Sequence, residues 1–192
     1  MNKICILLIV FLSLQTFAKT SNDCQDLKSE QIRLALTASN LANVNTTRTP
    51  EGGVYQPYIV KSCINGGCDA RRDNKAPVLK YLPHHPDADK NGYVAFPYID
   101  EKSEYATLNA TVTKLKLLAS AKACHATVLV DNGDSSFIIR YNGRGQSDIK
   151  EDVFNLNRDH QVVSWMRQDT QGRATTVNFA LSDQMTSHSQ IE

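Results

Sequence analysis

No segment after residue 18 is apolar for long enough to cross a bilayer, which excludes a multi-span helical membrane protein. Neither sign of charge dominates: 21 Lys and Arg stand against 20 Asp and Glu. No basic stripe argues for nucleic acid, and no acidic run argues for a solvated tail. A phosphate-binding loop, an HExxH pair and any Ser-His-Asp or Cys-His motif context are all missing. Nor does the chain contain an internal repeat or a low-complexity linker. Tryptophan occurs once, at Trp165, and together with Phe179 it suits a core better than a ligand platform. Enzymatic chemistry is therefore not expected, and no cofactor is implied.

What the 192 residues do contain is 41% hydrophobic and 21% charged, enough apolar material for one or two small domains with a modest core. The first eighteen residues are a separate case. Lys3 is followed by the nearly unbroken apolar run Ile4 to Leu14, and Thr16-Phe17-Ala18 ends on a small residue. This pattern predicts a secretory signal peptide cleaved after Ala18. Removing Lys3 leaves twenty basic and twenty acidic residues, a neutral mature chain with no membrane span.

Cys5 departs with the leader, leaving Cys24, Cys63, Cys68 and Cys124. An even number in an exported chain predicts disulfides, with three possible connectivities. Cys63 and Cys68 flank Ile64-Asn65-Gly66-Gly67, a hairpin-turn signal that would bring them together. Cys24 precedes the first helical pattern and Cys124 ends the second, so antiparallel helices would bring these two together as well. Free thiols and a metal site are the alternatives; zinc fits poorly, because no CxxC pair or histidine spacing accompanies the cysteines.

The first helix is predicted from about Cys24 to Asn43, capped by Asn22 or Asp23. Leu27, Ile32, Leu34, Ala35, Leu36, Ala38 and Leu41 make its apolar surface broader than a narrow stripe. Asn40, Asn43 and Asn45 then compete for backbone hydrogen bonds, and Thr49, Pro50, Gly52 and Gly53 impose a turn. Val54 to Ser62 reads as a strand, Arg71 to Lys75 as a charged loop, and Pro77 to Leu82 as an extended return. A second helix is predicted from Ser103, its cap, to Ala123, with Tyr105, Leu108, Val112, Leu115, Leu118 and Ala119 at helical spacing.

Two stretches of this region resemble a known family. Ser39-Asn40-Leu41-Ala42-Asn43, followed by the turn carrying Thr49, Gly52 and Gly53, resembles the N-terminal region of bacterial flagellar basal-body rod proteins of the proximal-rod, FlgC type. The block from His85 to Pro97, with His85, Pro86, Asp87, Asp89, Gly92 and Tyr93, is similar to the same family at the corresponding place. The resemblance covers roughly residues 27 to 120. It implies that the N-terminal helix packs on a C-terminal one, that paired helices of many subunits build a rod wall, and that the partners are other rod proteins or the chain itself.

Asp87, Asp89 and Asn91, followed by Gly92, also imitate the opening half of an EF-hand loop. The position that needs a bidentate glutamate is Tyr98, and no helix pattern leads in. An Asx-rich turn is the plainer expectation, with calcium as a minor alternative.

Beyond the second helix the chain departs from the family, whose subunits end there and carry no cleaved leader. Ala126 to Val130, Ser136 to Tyr141, Gln161 to Arg167 and Arg173 to Leu181 read as strands, with hairpin signals at Asp131 to Asp134 and Asp169 to Gly172, while Ile149 to Leu156 is short and ambiguous. Asn142 to Gly145 is another turn. Val163, Trp165, Val177 and Phe179 are expected on one face.

The expected fold is α+β: two antiparallel amphipathic helices joined through a β-hairpin region, then a C-terminal antiparallel β meander. The expected organisation is a signal peptide at 1–18, a rod-like region at 19–124, a β-rich extension at 125–181 and a polar tail at 182–192. The expected function is a structural or assembly component of the flagellar rod, in the periplasm at the basal body. The alternative is a secreted periplasmic binding module on a rod-like scaffold.

Overall fold

The computed structural model describes residues 3–121, 125–130, 135–142 and 148–179, with side chains from residue 22 onward. The architecture is α+β, with two helices and nine antiparallel strands among the described residues.

Helix α1 spans Lys3–Ala42. It runs through the positions expected to cap its start, because neither glycine nor proline occurs from Lys3 to Ala42 and nothing interrupts the helical ladder. Asn22 and Asp23 are therefore interior residues. The helix ends where Asn43 donates from Nδ2 to the Ser39 carbonyl at 2.9 Å, satisfying one of the orphan acceptors of the last turn.

After the exit turn, β1 (Tyr58–Ile64) and β2 (Gly67–Arg72) form a hairpin closed by Asn65 and Gly66, both at positive φ. The Cys63–Cys68 disulfide bridges the two strands beside that turn. The first strand starts later than the expected Val54. The Tyr55 N–H is taken by the Thr46 carbonyl, and Pro57 has no N–H to give to a ladder. Strands β3 (Val78–Tyr81) and β4 (Tyr93–Phe96) form a second ribbon.

Helix α2 spans Glu101–Ser120. Its cap is Asp100, whose Oδ1 accepts from Ser103 N at 3.2 Å; Ser103, the expected cap, sits inside the first turn. Contacts between the helices rise along one as they fall along the other: Glu30 with Lys114 at 2.8 Å, Asn40 with Glu104 at 3.1 Å. The two helices thus run antiparallel.

Strands β5 (Ala126–Val130), β6 (Ser136–Tyr141), β7 (Ile149–Leu156), β8 (Val162–Asp169) and β9 (Ala174–Asn178) make a five-stranded antiparallel meander in sequence order. This sheet is separate from both ribbons. The turns expected at 131–134 and 143–145 lie outside the described residues.

One apolar core joins the helix pair to this sheet. Leu34 and Leu115, both fully buried, share it with Phe137, Ile139, Phe154, Trp165 and Phe179. A row of side chains crosses the sheet through the register pairs Phe137–Phe154, Phe154–Trp165 and Trp165–Val177. Val162 joins this core as well, while Val163 stands opposite Phe179 in the β8–β9 ladder, as Trp165 stands opposite Val177. A bulge between the Asn155–Ser164 and Leu156–Val162 pairs inserts an extra residue and reverses the alternation there. From α2, Asn109 Oδ1 accepts the Val162 N–H at 3.2 Å, so a polar contact as well as the apolar one fixes the sheet on the helices.

No helix among the described residues is long and apolar enough to cross a membrane.

Candidate functional site

The candidate residues fall in the region where α1 ends, and the structure brings the two sequence blocks together there. Asn40 is the centre. It is buried within α1 rather than breaking it, and its side chain points across the helix to the start of β1. Asn40 Oδ1 accepts from Tyr58 N at 2.8 Å while Nδ2 donates to Tyr58 O at 2.8 Å. The amide thus pairs with one residue of backbone as a neighbouring strand would. Nδ2 also donates to Glu104 Oε1 on α2, and the Tyr55 hydroxyl donates to Oδ1 at 3.3 Å. Ser39 Oγ lies 2.9 Å from that same hydroxyl. Helix, strand and second helix meet on one side chain.

Burial pushes the Glu104 carboxyl above its ordinary range; the Asn40 hydrogen bond acts in the opposite direction, and the Asp100 charge adds to the rise.

The exit turn is equally specified. Thr49 N donates to Gly53 O at 2.8 Å and Gly52 N to Thr49 O at 3.0 Å. Gly52 and Gly53 hold φ of 94° and 76°, the left-handed region that glycine enters without a steric penalty.

Thr47 and Arg48 then reach the second block. Thr47 Oγ1 donates to Asp87 Oδ2 at 2.7 Å and Arg48 Nε to Asp87 Oδ1 at 2.6 Å. The Thr47 hydroxyl holds the Asp87 carboxyl below the usual carboxylate range; desolvation opposes it, and the Arg48 hydrogen bond and charge lower it further. Asp89 Oδ1 accepts from Asn91 N and Tyr93 N, both at 2.8 Å, closing an Asx turn. His85 Nδ1 accepts from Asp87 N at 3.1 Å. Gly92 at φ 83° lies against the Tyr81 ring, where a Cβ would come within 2.8 Å of Cε2. The carboxylates considered for calcium therefore face protein donors. Among the described residues no group of three metal-ligating side chains comes together.

Cys63 and Cys68 sit at the opposite end of the β1–β2 hairpin, against the earlier part of α1. Gly66 N donates to Ser29 Oγ at 3.0 Å and Cys68 Sγ lies 3.3 Å from Ser29 O. Cys24 is also disulfide-bonded. Cys124 lies outside the described residues.

The sequence reasoning missed a second polar centre, in the sheet. Asp152 is fully buried and accepts from Tyr141 Oη at 2.8 Å, Trp165 Nε1 at 3.0 Å, and Arg167 Nε and Nη2 at 2.8 and 3.1 Å. Burial, and after it the Asp152 charge, drive the Tyr141 hydroxyl well above its ordinary range. A signal was available: Asp152 shares the alternation of Phe154, so a carboxylate stands on the apolar side of β7. The roles of Thr47, Arg48 and Glu104 were missed too, because nothing local marks their partners.

Each carboxylate is engaged with protein donors in a way that fixes backbone paths or strands. An antiparallel helix pair joined through short ribbons, with Asn40 and Asp87 pinning the crossover, defines a structural scaffold of the helix–hairpin–helix kind.

Comparison with known proteins specifies it further. A family model described as "Flagella basal body rod protein" matches residues 27–48, which end at the Thr47–Arg48 clamp. The flagellar basal-body rod protein FlgC of Borreliella burgdorferi is 29% identical over 137 residues, taking in 57% of this chain and 84% of that protein. FlgC of Salmonella typhimurium is 35% identical over 91 residues, covering 41% of this chain and 66% of its own. FlgC of Yersinia enterocolitica is 28% identical over 133 residues, covering 62% and 90%. The chain is a relative of the FlgC-type flagellar basal-body rod proteins.

Proposed function

We propose that the protein is a structural component of the flagellar basal-body rod, contributing to flagellum-dependent motility, with other rod proteins or further copies of itself as partners. The observation that carries this is the coincidence of the rod-family match at residues 27–48 with the Asn40 centre and the Asp87 clamp. The family signature supplies the contacts that set the chain path between the two helices. The region 19–124 is the rod-like unit, and 125–181 is an extension that completes its core. A leader cleaved after Ala18 directs the chain to the periplasm, where Cys63–Cys68 and a Cys24–Cys124 bond form. Residues 182–192 are a polar tail. No nucleic acid, cofactor or catalytic residue takes part.

A second reading is a periplasmic binding module that retains the rod-like scaffold. It is favoured by the shared core, in which the sheet covers helix surface that rod subunits use for packing on neighbours. Proteomics of purified basal bodies beside a periplasmic fraction separates the two. Enrichment in basal bodies, with loss of motility on deletion, supports the rod component. Recovery only in the soluble periplasm, with motility intact, overturns it in favour of the module. N-terminal sequencing of the mature protein tests cleavage after Ala18.

A further inference from the structure

The β1–β2 hairpin is held on α1 at two points. At its open end Asn40 pairs with both backbone groups of Tyr58, and at its tip Gly66 N donates to Ser29 Oγ. Ser29 and Asn40 lie about three helical turns apart, on one face of α1. The hairpin therefore runs along that face, and its tip covers Ser29, which is only 1% exposed. The approach is close: a Cβ on Gly66 would meet the Lys28 side chain at 3.5 Å and the Gln25 backbone at 3.9 Å.

The two attachments differ in kind. The one at Tyr58 is made by a buried amide and has no redox chemistry. The tip has little to hold it besides its cystine. No residue of β1 or β2 belongs to the apolar core, Ile64 at the tip is 65% exposed, and a two-stranded ribbon alone is marginal in water. The register shifts between Val60 and Ser62, so an irregularity separates the anchored end from the tip. Beyond it the ladder consists of Ser62–Asp69, Cys63–Cys68 and Ile64–Gly67. The bridged pair is the central one, and Cys68 Sγ itself lies 3.3 Å from Ser29 O. Both cysteines are partly exposed, so an attacking thiolate has access to the bond.

We propose that Cys63–Cys68 is a redox latch that closes the hairpin tip over the Ser29 turn of α1. Oxidised, it clamps the tip to the helix. A dithiol reductant opens it by exchange: one thiolate attacks a cystine sulfur, the S–S bond breaks through a mixed disulfide, and the second thiol completes the transfer. Two electrons and two protons pass to the cystine, Cys63 and Cys68 become thiols, and the dithiol leaves as its own disulfide. The tip then lifts about the irregularity at Val60 to Ser62 while Tyr58 stays on Asn40, and the Ser29 turn is uncovered. The inference rests on the hairpin and is independent of the rod reading; its failure leaves that reading in place.

Hydrogen exchange of the full chain, followed by nuclear magnetic resonance, reads the two attachments separately through the Gly66 and Tyr58 amides. Cys63→Ser combined with Cys68→Ser removes the latch and leaves the bond at Cys24 in place. Gly66 is expected to exchange at least about tenfold faster in that variant, the order of effect for losing a cross-link across so short a loop, with Tyr58 unchanged. The wild type titrated with dithiothreitol should show the same change, with alkylation and mass spectrometry placing the opened thiols at Cys63 and Cys68. Re-oxidation should restore slow exchange. Unchanged exchange at Gly66 overturns the proposal, since the tip would then be held without its bridge. Equal acceleration at Gly66 and Tyr58 overturns it as well, because the bridge would then hold the whole hairpin and not its tip. A bridge that dithiothreitol leaves closed while the fold persists would be a fixed staple, which also ends the proposal. The same two amides in Cys63→Ala combined with Cys68→Ala decide the matter if the serine pair does not fold.

Discussion

Asn40 and Tyr58 are paired through both ends of the asparagine amide, each hydrogen bond 2.8 Å long. A side chain from the last turns of α1 thereby satisfies the first backbone residue of β1. The strand cannot slide along the helix without breaking both bonds, so this pair sets the register of β1 on α1.

Removing it is expected to be costly. Asn40→Ala leaves the Tyr58 N–H and C=O without their partner at a buried site, and the destabilisation should be about 2–4 kcal/mol in urea unfolding. Asn40→Asp should also destabilise at neutral pH, since a carboxylate would then face the Tyr58 carbonyl and Glu104. Its deficit should shrink in acid. A loss for Asn40→Ala within the scatter of ordinary surface substitutions would mean that water replaces the amide and that the pair does not set the register.

Glu104 gives a prediction of opposite sign. Desolvation raises its folded-state pKa above the unfolded value, so folding favours the protonated form. Its contribution is fully present below the unfolded pKa and lost as pH rises through the folded one. Glu104→Gln keeps an oxygen acceptor for Asn40 and removes the charge. The variant should match or exceed the wild type in Tm at neutral pH, with the difference closing in acid. A neutral-pH Tm clearly below that of the wild type would contradict this account.

The clamp on Asp87 has the reverse pH dependence. Its folded-state pKa is lowered by Thr47 and Arg48, so the stabilisation is present above the unfolded carboxylate value and disappears as pH falls through the folded pKa. The wild type should be more stable than Asp87→Asn at neutral pH and equal to it in strong acid. Urea midpoints for the two proteins at both pH values make the comparison. A gap that persists unchanged in acid would show that charge is not the source.

Asp152 anchors the sheet. Asp152→Ala strands the Arg167 guanidinium in a partly buried position and orphans the Trp165 N–H, and should cost about 3–5 kcal/mol. Because helices and sheet share one core, far-ultraviolet dichroism and tryptophan fluorescence should report a single transition in the wild type. Two separated transitions would show that the sheet unfolds independently of the helices.

Much of this was legible in the sequence because it depends on neighbours in the chain. Asn65-Gly66 specifies a hairpin wherever it stands between extended segments, and Ser136 to Tyr141 marks a strand that the structure bounds at the same residues, whereas Ile149 to Leu156, ambiguous by itself, becomes a strand between two partners. The start of α2 was misplaced by a few residues because Asp100 and Ser103 are both acceptable caps, and only geometry chooses between them. The burial of Val162 was not foreseen, because a bulge leaves no mark in a valine pair. The asparagines at the end of α1 were read as competing for backbone hydrogen bonds; Asn43 does so at the Ser39 carbonyl, whereas the amide of Asn40 is used by residues of β1 and α2.

The sequence by itself determined the order of the elements, the turns that separate them and the family signature, since each follows from backbone preference or side-chain spacing over a few residues. Only the tertiary structure decided that Asn40 meets Glu104 sixty-four residues away, that Asp152 is buried with its donors, and that the sheet closes over the helices. Those contacts arise when desolvation brings distant polar groups together and each must find a partner, a condition imposed by the packed interior and not by any local stretch of chain.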